Sequence, residues 1–258
     1  MADLENLNNQ ENFNEVPLNT DFPETAEKLE NDPDLEEAKK IIEEWWDTNQ
    51  IKKLTPDLAW KLITWWWLYR CDISLNWLTS IDEETAKILA KYEYTGYNDI
   101  AYTISLNWLT NIDEKIAKIL GSFKCDFLYL DWLTNIDKKT AYNLSLFKWY
   151  ILSLNWLTKI NEEIAKELSR FQEILSLDWL KSIDEKTAEK LCYYKYKWVL
   201  SLNWITNINE KIAKWLARFK GENLSLEWLV DIDKHSAKAL VPIKDKLIVN
   251  DNIRNKIN

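Results

Sequence analysis

Residues 152–168 read Leu-Ser-Leu-Asn-Trp-Leu-Thr-Lys-Ile-Asn-Glu-Glu-Ile-Ala-Lys-Glu-Leu, and the spacing of their apolar positions changes halfway along. Leu152 and Leu154 alternate with polar residues, a period of two that predicts a short strand with one apolar face. From Ile160 onward the apolar residues recur at the spacing of one helix face. Asn161 comes directly before two glutamates, as expected of an N-cap followed by acidic residues at the positive end of a helix. The stretch therefore predicts a strand, a turn and a short helix.

The same unit recurs along the chain. Its central tryptophan returns in steps of 31, 24, 24, 23, 25 and 24 residues, and residues 92–99 account for the long first step as an inserted loop. The position before each helix holds Asp or Asn in every copy: Asp82, Asp113, Asp137, Asn161, Asp184, Asn209 and Asp233. Because one unit cannot bury its own apolar side, we expect successive units to stack around a continuous core of Leu, Ile and Ala.

The repeated pattern resembles the bacterial members of the leucine-rich-repeat family, whose motif L-x-x-L-x-L-x-x-N/C-x-L has a similar length. The resemblance covers about residues 51–251 and departs at Leu157 and its equivalents, which replace the usual Asn or Cys after the turn. The resemblance implies an α/β fold, a right-handed solenoid or horseshoe. Short parallel strands would line its concave face, and helices its convex face.

The two ends of the chain differ from the repeats. Residues 1–33 are rich in Asn and Glu and predict a disordered or loosely attached acidic tail. Residues 34–50 contain an amphipathic pattern that predicts a capping helix for the N-terminal end of the core. Residues 51–251 then form the solenoid, with about seven full repeats, terminal half-repeats and an eighth strand at 247–250. Residues 252–258 are interpreted as a C-terminal tail.

Two polar columns are predicted on the strand face. The first contains Ser74, Ser105, Tyr129, Ser153, Ser176, Ser201 and Ser225, and the second contains Asn76, Asn107, Asp131, Asn155, Asp178, Asn203 and Glu227. One interpretation is a solvated face whose side chains bond along the ladder. The functional interpretation is a partner-binding surface centred on Ser105, Asn107, Tyr129, Asp131, Ser153, Asn155, Ser176, Asp178, Ser201 and Asn203. Tyr129 and Asp131 depart from the uniform columns, and tyrosine is favoured at binding hot spots.

The chain has sixteen tryptophans and only three glycines. Seven tryptophans recur at one repeat position: Trp77, Trp108, Trp132, Trp156, Trp179, Trp204 and Trp228. Such a ladder either fills space in the turns or, if it faces solvent, offers an aromatic strip to a sugar or a protein partner.

A third interpretation concerns the identity of these residues. Tryptophan and glycine together make up about 7% of the chain, the share that glycine alone usually has. Lys148-Trp149 also stands where Lys220-Gly221 stands three repeats later, although the two residue types rarely substitute for each other. Some bacterial lineages read UGA as glycine and others as tryptophan, so we hypothesise that many of these positions are glycine in the source cell.

No pattern in the sequence points to catalysis or to a cofactor. His235 is the one histidine and is expected on the surface, while three scattered cysteines suit neither a disulfide framework nor a zinc site. The carboxylates cluster at helix starts, where capping accounts for them. The net charge of -9 disfavours nucleic acid and anionic lipid as partners. With neither a signal peptide nor an apolar transmembrane run, a cytoplasmic protein is expected, and export without a leader is the alternative.

The sequence thus predicts a non-enzymatic scaffold that binds a protein or peptide on the concave repeat surface. Two alternatives remain open at this point. The first is a carbohydrate-binding module that uses the tryptophan ladder. The second is an effector-type repeat protein recognised through its N-terminal tail.

Overall fold

The computed structural model describes residues 54–57, 59–60, 63, 73–76, 78–91, 103–193 and 199–258. The predicted tail at 1–33, the predicted capping helix at 34–50, the loop at 92–99 and Trp77 lie outside the described residues.

Eight short strands in the described chain form one open parallel sheet, in the order in which they occur in the sequence. They are β1 (Ile73–Ser74), β2 (Thr103–Ser105), β3 (Phe127–Tyr129), β4 (Ile151–Ser153), β5 (Ile174–Ser176), β6 (Val199–Ser201), β7 (Asn223–Ser225) and β8 (Leu247–Ile248). Each strand pairs in register with the equivalent strand of the next repeat, as Leu128 does with Leu152. The expected α/β solenoid with parallel strands is therefore confirmed.

A seven-residue helix follows each of the first seven strands. These helices are α1 (Glu83–Leu89), α2 (Glu114–Leu120), α3 (Lys138–Leu144), α4 (Glu162–Leu168), α5 (Glu185–Leu191), α6 (Glu210–Leu216) and α7 (Lys234–Leu240). The predicted cap residues start them. Asn161, for example, accepts a hydrogen bond from the Ile164 N–H at 2.9 Å, which pairs one of the N–H groups that a helix start leaves unbonded.

The core lies between the strand layer and the helix layer. In the fourth repeat Leu152, Leu154 and Leu157 from the strand and turn, with Ala165 and Leu168 from the helix, are all fully buried. Fully burying one such leucine contributes about 1.5–3 kcal/mol, so the repeated pattern supplies the main stabilising term. Each of these seven helices also buries one alanine in the core. Leu157, the position at which the repeat departs from the motif that it resembles, is thus a core residue.

The C-terminal segment is ordered differently from the sequence-based prediction. After α7 a 3-10 helix (Val241–Lys246) leads into β8, and residues interpreted as a tail form helix α8 (Asp251–Ile257). Asn250 caps α8 by accepting from the Ile253 N–H, and Ile253 and Ile257 are buried. The sequence analysis did not predict this helix, because the polar composition of 252–258 concealed two isoleucines spaced for one helix face. Helix α8 covers the core beyond α7.

Candidate functional site: the strand face

The strand register places the two predicted polar columns side by side on one face of the sheet. Ser105, Tyr129 and Ser153 are consecutive Cα partners across β2, β3 and β4. The serine column comprises Ser74, Ser105, Tyr129, Ser153, Ser176, Ser201 and Ser225. The asparagine column, two residues further along each repeat, comprises Asn76, Asn107, Asp131, Asn155, Asp178, Asn203 and Glu227. The structure therefore brings the ten predicted partner-binding residues together on a single surface.

Side chains of the asparagine column link each repeat to the next. The Asn155 Oδ1 accepts from the Ser176 hydroxyl at 2.6 Å and from the Asp178 backbone N–H at 3.0 Å. Asn203 makes the same two contacts with Ser225 and with the Glu227 N–H. Aspartate substitutes directly, since one Asp131 oxygen accepts from both the Ser153 hydroxyl and the Asn155 N–H. The column thus forms a polar ladder perpendicular to the strands.

The polar columns are consequently first of all structural. Ser153 is only 1% exposed, and its hydroxyl also accepts from the Asn155 amide. A buried polar group must be hydrogen-bonded or it costs about 1–3 kcal/mol, and the ladder meets this requirement repeat by repeat. This geometry favours the interpretation in which the side chains bond along the ladder, because few of their donors and acceptors are left to a partner.

Tyr129 is the exception within the serine column. It is half-buried and takes the position from which a serine hydroxyl donates to the preceding repeat elsewhere in the column. Asn107 accepts from the Asp131 N–H at 3.0 Å, so the backbone half of the ladder continues through this repeat. A phenol ring therefore stands among small hydroxyls on an otherwise regular surface.

Asp131 and Asp178 introduce negative charge into the ladder. Among the described residues no lysine, arginine or histidine forms a salt bridge with either carboxylate, whereas Asp231, near the C-terminus, pairs with Lys256. Burial raises the pKa of Asp131, and the nearby negative charge of Asp178 adds to this effect. The hydrogen bonds from Ser153 and Asn155 oppose the increase in pKa. Asparagine makes the same ladder contacts at Asn155 and Asn203, so the two charges are not needed for the ladder.

A third column on the same face was missed by the sequence analysis. The first residue of four consecutive strands is apolar and half-buried, and these residues, named here the apolar column, are Phe127, Ile151, Ile174 and Val199. Thr103 and Asn223 continue the column on either side. The sequence does contain a signal for this column. Each of its members lies two positions before a member of the serine column, and side chains two apart in a strand share a face.

The predicted tryptophan ladder is a continuous stack in the structure. Ring centroids of successive members lie 5.3, 4.7, 4.7, 4.5 and 5.1 Å apart, with interplanar angles of 11° to 22°. The tryptophan stack comprises Trp108, Trp132, Trp156, Trp179, Trp204 and Trp228. The four members from Trp132 to Trp204 are half-buried, while Trp108 and Trp228, the first and last described members, are 39% and 55% exposed. The stack lies outside the buried core.

Stacking determines what the indoles can offer to a ligand. Both faces of Trp132, Trp156 and Trp179 are covered by the neighbouring indoles at centroid distances near 5 Å. A sugar ring packs against the face of an aromatic ring, and only the ring edges of these members remain available. The geometry therefore favours a role in turn packing over a platform for carbohydrate.

Cys125, Cys192 and His235 are the remaining candidates for reactivity among the residues that the structure describes. Cys125 and Cys192 are buried free thiols, and burial raises the pKa of both, that of Cys192 to about 12. A thiol held protonated is a poor nucleophile. The side chain of His235 is exposed. In the described part of the chain, no three His, Cys, Asp or Glu residues are grouped to hold a metal ion. The helices described are all too short or too polar to cross a bilayer.

Comparison with known proteins gives no assignment: the chain matches no protein-family model, no curated protein and no solved structure.

Proposed function

We propose that this chain is a bacterial, leucine-rich-repeat type scaffold without enzymatic activity, which acts in the cytoplasm and binds a protein partner on its strand face. The observation that carries the proposal is the group formed by Phe127, Tyr129 and Ile151. These three residues lie on the same face of two adjacent strands and interrupt an otherwise polar, repetitive surface.

Phe127, Tyr129 and Ile151 differ from the columns around them in the binding energy that they can contribute. The serine and asparagine side chains form their hydrogen bonds within the ladder, so a partner that contacts them forms few new ones. Half-buried aromatic and branched side chains still have apolar area to lose from water, at about 25 cal/mol per Å². Aromatic residues are also enriched where truncation costs the most binding energy. The group therefore has the composition of a binding hot spot.

The test compares two surface variants in affinity purification from an extract of the source organism. Tyr129→Ser with Ile151→Thr removes the apolar group and substitutes residues that the same columns already contain at Ser105 and Thr103. Tyr142→Ser is the matched control, because Tyr142 is an exposed tyrosine on helix α3. Both variants should unfold at temperatures close to that of the wild type.

We expect quantitative mass spectrometry to find proteins that are retained by the wild type and by Tyr142→Ser but lost with the double variant. Equal retention by all three chains would place any binding elsewhere. The absence of any protein enriched over an empty matrix would contradict the scaffold proposal itself.

A further inference from the structure

The strand face combines the apolar column with two carboxylates for which the described part of the chain supplies no cation. Asp131 and Asp178 follow strands β3 and β5, and the apolar residues Phe127, Ile151 and Ile174 begin strands β3, β4 and β5. The two kinds of residue stand at opposite ends of the same strands, four residues apart. At about 3.3 Å per residue this separation is about 13 Å.

The serine column forms a low strip between these two borders. Its residues from Ser153 to Ser201 are the smallest polar side chains on the face, so the surface is lowest along this part of the column, whereas the larger Tyr129 occupies the column at β3. An α-helix with its side chains is about 10–12 Å across. A helix that lies on the serine column, perpendicular to the strands, therefore reaches the apolar column on one side and the carboxylates on the other.

The spacing along the columns also fits a helix. Neighbouring strands lie about 4.8 Å apart, and side chains three or four positions apart on a helix are about 5–6 Å apart. Alternate residues of an extended peptide are about 6.6 Å apart and lose register within a few strands. Asp131 and Asp178 are two strands apart, about 10 Å, which seven helical residues match at about 10.5 Å.

We infer that the partner presents a basic amphipathic helix, whose apolar side packs on the apolar column while lysines or arginines pair with Asp131 and Asp178. The inference rests on the proposed scaffold function and names the chemistry of its partner. Charge complementarity decides between helices, because an acidic or neutral helix leaves both half-buried carboxylates unpaired, and a basic one supplies the cations. The overall charge of -9 favours the approach of the same partner.

The experiment uses a designed peptide of roughly 18 residues, long enough to cross the apolar column as a helix. It carries a leucine stripe and, beside it, lysines seven positions apart. A scrambled peptide of the same composition and a peptide with glutamate for each lysine are the ligand controls. Binding is measured by calorimetry to the full chain at low and at physiological salt.

The protein variant is Asp131→Asn with Asp178→Asn, which keeps the ladder acceptors and removes both charges. Glu84→Gln with Asp251→Asn is the control, because it makes the same charge change at exposed helix positions. We expect the basic peptide to bind the wild type and the control equally and the double Asn variant about tenfold more weakly. The scrambled and acidic peptides should not bind measurably.

Three results would overturn the inference: no binding of the basic peptide, equal affinity for the wild type and the double Asn variant, or equal binding of the acidic peptide. The affinity purification described above separates these failures from failure of the scaffold function. If partners lost with Tyr129→Ser and Ile151→Thr are retained by the double Asn variant, the scaffold stands and its partner is not a basic helix.

Discussion

The amide oxygen of Asn155 accepts the hydroxyl of Ser176 at 2.6 Å and so connects the turn of one repeat to the strand of the next. The same oxygen accepts the Asp178 N–H, so one acceptor satisfies two part-buried donors. This arrangement recurs through the asparagine column. The column therefore joins successive repeats by hydrogen bonds, as the leucine core joins them by apolar packing.

Replacing Asn155 with alanine should lower the free energy of unfolding by about 1–3 kcal/mol, because two donors lose their acceptor in a partly buried position. Asn111→Ala is the control, because Asn111 is an exposed asparagine outside the ladder. Urea unfolding measures both variants. A loss with Asn155→Ala that is no larger than the loss with Asn111→Ala would show that water replaces the ladder contact.

Asp131→Asn should stabilise the chain at pH 7. Burial raises the pKa of Asp131 in the folded state. Ionisation of Asp131 therefore lowers the free energy of unfolding, and the whole of this loss is present above the folded pKa. The cost disappears as the pH falls through that pKa towards the unfolded value near 3.9. The gain from the substitution should therefore be greatest at neutral pH and shrink on acidification. Unfolding of both chains across this range measures it, and a gain independent of pH would contradict the explanation.

The helix caps provide a second stability test. Asp137 accepts from the Thr140 N–H at 2.7 Å, and this hydrogen bond lowers the pKa of Asp137. Asp137→Ala should cost about 1 kcal/mol, whereas Asp137→Asn should cost much less because Asn161 and Asn209 cap α4 and α6 in the same way. Thermal unfolding at pH 7 compares the two. The difference in unfolding temperature between the wild type and Asp137→Ala should diminish as the pH falls below the ordinary pKa of aspartate.

Gly121 tests how closely neighbouring helices approach. It is the residue after α2, and a Cβ at this position would lie 2.1 Å from the Asn143 carbonyl oxygen on α3. Its φ of -65° is ordinary for any residue, so only space opposes a side chain. Gly121→Ala should cost about 1–3 kcal/mol through overpacking. The equivalent residue after α6 is Ala217, which shows that the position accepts a Cβ where the spacing allows, and Ala217→Gly is the matched comparison.

The tryptophan stack gives a test of residue identity. The backbone N–H groups of Trp156 and Leu157 donate to the backbone carbonyl oxygens of Asp131 and Leu154. The turn therefore closes without the indole. Trp156→Gly should cost the two stacking contacts and the loss of rigidity, about 1.5–4 kcal/mol together. If the source cell reads UGA as glycine, peptide sequencing of the native protein will find glycine at Trp77, Trp108 and Trp156. UGG codons at these positions would exclude that hypothesis.

Much of the fold could be predicted because the same pattern of apolar and polar positions recurs in every repeat. The change from a period of two at Leu152 and Leu154 to a helical spacing from Ile160 fixed the strand and the helix. Asn161 and its equivalents then marked where each helix begins. The serine and asparagine columns followed from alternation alone, and the register confirms them.

The site was predicted less completely. The apolar column was missed because Ile151 and Ile174 each stand directly before a core leucine. Two adjacent apolar residues do not show by alternation which of them faces the core. Helix α8 was missed because Ile253 and Ile257 are separated by polar residues. The face-to-face packing of Trp132 on Trp156 depends on the distance between repeats, and a single repeat sequence does not contain that distance. That no described lysine, arginine or histidine pairs with Asp131 likewise became visible only in the three-dimensional arrangement of the columns.

The open sheet has a mechanical consequence. Each helix packs chiefly on the helices before and after it, and each strand bonds to its two sequence neighbours. A pulling force applied between β1 and α8 would thus be carried by the repeats in series, as in a row of coupled springs. Extension would be shared among many small, reversible displacements, and rupture would begin at the weakest junction while the remaining repeats kept their structure.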